Sequence, residues 1–285
     1  MHGRDATITA NGLQLHFREW GPSAGLPLVL LHGGSAHSHW WDRFAPTVAD
    51  VYRVLALDLR GHGDSAYPDP PAYRISDYAD DLAAFVERLG LGRVELIGHS
   101  LGGMVATAYA GRAPALVRSL VVVDSQLKIT PSGARYMIRL RHFPAPVYRS
   151  EEDAIRRFRL LPVRTTADPR LLAHVAARGI RQRSDGSWVL KFDREALSHN
   201  DPQDLSPSLH RLCCPLLFVR GAHSTLLPHA ALAALQAAAP HAEVVEIPDA
   251  YHHVMLDNPE AFARHVRAFL DRVRIGAGHD QGIGT

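Results

Sequence analysis

Short, wholly apolar runs alternate along this chain with one-sided helical stripes, and that rhythm leaves few architectures open. Leu28-Val29-Leu30-Leu31 and Val54-Leu55-Ala56-Leu57 are continuous apolar runs followed by glycine-rich loops, the pattern of strands covered on both faces. Leu120 to Val123 and Leu216 to Val219 are two more apolar runs, and Val94 to Ile97 and Val244 to Ile247 add two that a single Glu interrupts, Glu95 and Glu246. Between them, Ser76 to Leu89 sets Tyr78, Leu82, Phe85, Val86 and Leu89 on one helical face with Ser76 as its cap, and Pro259 to Val273 reads as a final helix. Parallel neighbours need crossover connections, so repeated strand-then-helix units imply an α/β fold with a doubly wound, mostly parallel sheet. Ahead of them, Ala6 to Ala10 and Leu13 to Trp20 flank Asn11-Gly12, a dipeptide suited to a tight hairpin. The hairpin adds an antiparallel edge and brings the expected sheet to eight strands.

A chain of 285 residues with 46% apolar content can bury one large core and carry an insertion. The rhythm stops between Asp124 and Cys213, where strand-like runs are few, prolines recur, and short helical patches fall at Glu151 to Leu161 and Pro169 to Ile180. The expected division is a core of residues 1–125 and 207–275, a helical cap at 126–206, and a glycine-rich, disordered tail at 276–285. Twelve arginines and Lys128 face four acids between residues 128 and 183, whereas the whole chain carries +2, so a basic cap sits on a more acidic body. A net charge that small gives no reason to expect nucleic-acid binding. No apolar run approaches the roughly 20 residues that span a bilayer. The N-terminus lacks the order of a secretion signal, and the two cysteines, Cys213 and Cys214, are adjacent and poorly placed for a disulfide. The expectation is a cytoplasmic monomer or homodimer acting on a small molecule, with no metal or other cofactor.

The pentapeptide Gly98-His99-Ser100-Leu101-Gly102 lies between the run ending at Ile97 and a small-residue stretch with helical spacing at Met104, Val105, Ala108 and Tyr109. A serine on such a strand-turn-helix elbow is pushed into the open while the flanking glycines let backbone pack closely. Serine hydroxyl needs a base, usually a histidine whose other ring nitrogen is held by a carboxylate. His252 and His253, in a loop after the last expected strand, are the candidates for the base.

With these motifs the chain resembles the α/β-hydrolase superfamily from residue 6 to about 273. His32-Gly33-Gly34 resembles its oxyanion loop, Asp58-Leu59-Arg60-Gly61-His62-Gly63-Asp64-Ser65 its turn after the fourth strand, and Ser100 its nucleophile. Members commonly end in Gly-x-Gly-His followed by Pro-Glu-x-Phe. Here the region reads Asp249-Ala250-Tyr251-His252 and Pro259-Glu260-Ala261-Phe262, so the resemblance favours His252 although both glycines are replaced. The resemblance further implies an oxyanion hole from the backbone N–H of Leu101 and of Gly34, with Ser35 the adjacent alternative, and a bracing role for His32.

The acid departs from the common pattern. Most members place an Asp in a Gly-x-x-Asp segment after the strand Leu216 to Val219, but here Gly221-Ala222-His223-Ser224 follows, and no Asp or Glu occurs from Arg220 to Ala242. Asp124, ending the run Leu120 to Val123, is the candidate instead. In this the chain is similar to the branch that carries its acid after the sixth strand, (E)-2-(acetamidomethylene)succinate hydrolase among them.

The residues so placed imply a serine hydrolase of a small carboxylic ester, lactone or activated amide. The alternatives are a C–C bond hydrolase of a vinylogous diketone and a non-catalytic ligand-binding member of the fold. Ser35, Trp41 or its neighbour Trp40, and the cap residues Arg135, Arg139, Arg141 and Trp188 are candidates for the substrate pocket. The arginines suit an anionic substrate, because guanidinium pairs bidentately with carboxylate.

Overall fold

The computed structural model describes residues 3–198 and 201–279. Eight strands form one sheet: β1 (Arg4–Ala10), β2 (Leu13–Trp20), β3 (Leu26–Leu31), β4 (Tyr52–Leu57), β5 (Val94–His99), β6 (Val117–Val123), β7 (Leu216–Gly221) and β8 (Glu243–Ile247). Their order is β1-β2-β4-β3-β5-β6-β7-β8. β1 and β2 pair antiparallel, β2 pairs antiparallel with β4, and every later pair is parallel. The hairpin turns at Asn11 and Gly12, both at positive φ, 49° and 78°, as a type I′ turn requires.

Each central strand is buried on both faces and sends alternate residues into two separate layers of core. Val29, Leu31, Leu55 and Leu57 meet Tyr78, Leu82 and Phe85 of helix α1 (Ile75–Arg88) and Val105 and Tyr109 of α2 (Leu101–Arg112). Leu28, Leu30, Val54 and Ala56 meet Trp41, Phe44, Phe262 and Phe269 on the other side. The cap of α1 is not Ser76. The Asp77 carboxylate accepts the Arg74 N–H at 2.7 Å, so the helix starts one residue earlier.

Among the described residues between β6 and β7 lie three α-helices, α3 (Pro131–His142), α4 (Glu151–Arg157) and α5 (Pro169–Arg178). α4 and α5 end before the expected patches do. The segment also holds short strands that carry no periodicity to read: Val147–Tyr148, Ile180–Gln182 and Trp188–Leu190 form one small sheet. Lys128–Ile129 pairs antiparallel with Gln203–Asp204, joining the two ends of the insertion in a neck. Tyr148, Ala154 and Ile180 give it a small apolar centre of its own.

After β7 come α6 (His229–Ala238), then, past β8, α7 (Val254–Asp257) and α8 (Pro259–His279). α8 therefore runs through residues 276–279 of the expected tail, and residues 280–285 lie outside the described residues. No described helix is long and apolar enough to cross a membrane.

Candidate active site

The carboxyl ends of β3, β5 and β6 and the loop after β8 converge where crossovers leave the sheet toward both faces, the place where open α/β sheets bind ligands. Ser100 follows β5 directly and has φ 51° and ψ −113°, a sparsely populated conformation that persists only where its surroundings impose it. The neighbouring glycines are part of that constraint. A Cβ on Gly98 would lie 2.2 Å from the Gly102 carbonyl oxygen, and one on Gly102 would lie 2.3 Å from that of Leu31. Ser100 N–H donates to the Val123 carbonyl at 2.9 Å, which fastens the elbow to the end of β6.

That end of β6 carries Asp124, also at positive φ, 46°. Its N–H donates to the Val219 carbonyl at 2.7 Å, so the residue is locked between β6 and β7. The side chain is buried and takes three donors. His252 Nδ1 lies 2.7 Å from Oδ2, the Ser224 hydroxyl donates to the same oxygen at 2.6 Å, and Gly221 N–H donates to Oδ1 at 3.1 Å. The position after β7 where the resemblance led one to look for an acid thus supplies a hydroxyl to the acid that stands elsewhere.

His252 sits on a loop held against β7 by Ala222 N–H to Ile247 O at 2.9 Å and His223 N–H to Ala250 O at 2.8 Å. His99 Nε2 donates to the His252 carbonyl at 2.9 Å, joining the elbow to the histidine loop, and the two rings lie 4.6 Å apart. His253, the competing base, turns away: its Nε2 donates to Pro162 O at 2.9 Å, and its ring packs edge-on against Trp40. It makes no bond to Asp124 in the described structure.

Burial disfavours the charged form of His252, with His253 adding to the effect, so its pKa is lowered and the imidazole is neutral at pH 7. Burial pushes the Asp124 carboxyl up, while the Ser224 hydroxyl and the Gly221 N–H draw it back toward ionisation. A neutral imidazole with Nδ1–H fixed on an acidic oxygen presents its Nε2 lone pair for proton transfer.

The expected oxyanion elements flank Ser100. Leu101 is the first residue of α2, where helix N–H groups have no carbonyl partner in the helix. A Cβ on Gly34 would meet nothing within 4 Å, so its backbone borders open space, and Ser35 beside it has φ 57°. His32 braces this loop: Nδ1 donates to Gly33 O at 2.7 Å, and Nε2 accepts the Leu59 N–H at 3.0 Å. Asp58 ties in the next turn by accepting the Ser38 N–H at 2.5 Å.

The expected pocket residues are dispersed. Trp41 is fully buried in the core against Phe44 and Phe262, because its side of the turn faces the sheet. Its neighbour Trp40 is the one that reaches the site, stacked on His99. Trp188 packs against the insertion's own apolar centre. Arg141 pairs with Glu195 at 2.7 Å, while Arg135 and Arg139 are exposed on α3. Sequence reading missed Ser224 as a hydrogen-bond partner and His99 as the link between loops, and neither carries a local sequence signal for that role.

Comparison with known proteins gives the family. The chain matches the alpha/beta hydrolase fold family over residues 27–259. It is 29% identical to 2-(acetamidomethylene)succinate hydrolase of Mesorhizobium japonicum, over 91% of this chain and 92% of that one. It is 30% identical to an esterase of Mycobacterium tuberculosis, over 88% and 85%. A crystal structure of E-2-(acetamidomethylene)succinate hydrolase superposes with TM-score 0.83 at 27% identity, over 95% of this chain and all of that one.

Proposed function

This chain belongs to the alpha/beta hydrolase fold family, and from that premise we propose that it is a serine hydrolase cleaving a carboxylic ester, lactone or activated amide of a small molecule. The observation that carries this reading is the buried His252 Nδ1 to Asp124 contact of 2.7 Å beside the elbow. Ser100 Oγ attacks the carbonyl carbon as His252 Nε2 takes its proton, and the N–H groups of Leu101 and Gly34 receive the developing oxyanion. His252 then returns the proton to the leaving oxygen or nitrogen, leaving an acyl group on Ser100. Water, deprotonated by the same imidazole, releases the acid and restores the serine.

The relatives named as a hydrolase of 2-(acetamidomethylene)succinate and as an esterase support acyl transfer. The exposed Arg135 and Arg139 on the cap favour a substrate bearing a carboxylate. An active-site phosphonate probe tests the nucleophile: covalent labelling of the wild type that disappears in Ser100→Ala is expected. No label on the wild type, or equal label on both, overturns the reading. Comparing neutral acyl esters with anionic amides tests the substrate class, and equal kcat/KM on both removes the carboxylate preference.

A further inference from the structure

One group of donors outside the candidate active site is assembled from both layers of the molecule. Asp42 follows the short helical turn Ser38–Trp41 that carries His39, and both face His174 on α5 of the insertion. His39 Nδ1 and His174 Nε2 meet the same oxygen, Asp42 Oδ2, at 2.9 and 2.7 Å. The other oxygen, Oδ1, receives the Arg18 guanidinium, whose Nε also lies 3.3 Å from Asp5. The carboxylate is thus oriented from behind by a buried arginine. His39 and Asp42 side chains are 12% and 17% exposed and His174 40%, so the cluster opens to solvent on the α5 side. There, Asp42 and His174 line a cleft of about 800 Å³ with Arg43, Leu171 and Glu260.

We propose that His39, Asp42 and His174 form a zinc site that clasps the cap to the core. Two imidazoles and one carboxylate with a fourth position open to water are a tetrahedral donor set that suits Zn²⁺. Ligand bonds of about 2.1 Å at tetrahedral angles put donor atoms roughly 3.4 Å apart. The present contacts must therefore widen by a fraction of an ångström, which the half-exposed His174 side chain allows. To ligate, each ring presents a lone pair on the nitrogen that now faces Asp42 and carries its hydrogen on the other ring nitrogen. Arg18 stays on Oδ1 as the outer partner that fixes the carboxylate. His37 of the same turn already donates to the Val175 carbonyl of α5 at 2.9 Å, so the ion would reinforce an existing seam.

Equilibrium dialysis of the full chain against Zn²⁺ with metal quantification, alongside thermal melting and amide exchange, tests the site. The expected result is one saturable ion per chain, a higher melting temperature with Zn²⁺ and slower exchange in α5. All three should be lost in His174→Ala and in His174→Gln, the second keeping a hydrogen-bonding side chain that does not ligate as imidazole does. Wild type that retains no ion, or variants that bind it as the wild type does, overturn the proposal. None of the three readouts depends on the hydrolase reading.

Discussion

Ser224 Oγ and Asp124 Oδ2 lie 2.6 Å apart in the buried site, and that hydroxyl shares its acceptor with the His252 ring. A donor to the charged form of a carboxylate favours ionisation, so Ser224 draws Asp124 back toward the ionised form that the proposed triad uses, against the burial that pushes it up to about 7. Such bonds to charged groups contribute about 1.5–3 kcal/mol. In Ser224→Ala the Asp124 carboxyl rises further, and kcat/KM falls by about tenfold or more. Its acid limb also moves to higher pH. A pH profile superimposable on the wild type would remove Ser224 from this role.

Asp124→Asn keeps the shape of the side chain and abolishes its charge. The amide can present its NH₂ to His252 Nδ1, which selects the wrong tautomer, and the expected fall in kcat is on the order of 10⁴-fold. Steady-state turnover of a short acyl ester, with the fold checked by circular dichroism, measures it. Turnover within a few-fold of wild type would exclude Asp124 as the orienting acid.

His252 and His253 are adjacent but differently employed, one on Asp124 and the other on the Pro162 carbonyl. His252→Gln should lose activity by about 10³-fold or more, whereas His253→Gln keeps a side-chain donor for Pro162 and stays within about tenfold of wild type. Reversal of that order in initial rates would reassign the base.

Buried neutral histidines make the fold sensitive to acid. Burial lowers His32 to about 3 and His37 and His62 to about 4, from 6.5. In the unfolded chain all three take up protons below 6.5, so that chain binds more protons than the native one. Their contribution is complete above pH 6.5 and is lost as pH falls toward about 4, at up to about 1.4 kcal/mol per pH unit for each. His16 works the other way: burial lowers it, but the Asp58 hydrogen bond together with the charges of Asp58, Asp64 and Asp5 outweighs that and its pKa is raised. Denaturant melts at pH 7.5, 6.0 and 5.0 should show a steep decline, and a flat series would contradict it.

The elbow turn and the eight strands were legible because each is written locally, in glycines at close approaches or in runs rich in apolar residues. The contact between Asp124 and His252 was legible because the resemblance implies an acid after β7 and none occurs there before residue 243. Roles set by tertiary packing were not legible. Which of Trp40 and Trp41 faces the site depends on the rotation of a four-residue turn, and the pairing of Arg141 with Glu195 joins residues 54 apart. Strands of two or three residues in the insertion leave no pattern at all, and the partners His39 and His174 meet only because α5 folds back on the core.

Asp124 closes β6, and the insertion begins almost at once, its neck formed by Lys128–Ile129 and Gln203–Asp204. Exchange of this insertion with those of relatives therefore has a defined seam. A junction placed before residue 124 would exchange Asp124 and its left-handed backbone along with the insertion, whereas one placed within the neck would exchange the insertion and leave the Asp124–His252 contact of the recipient intact.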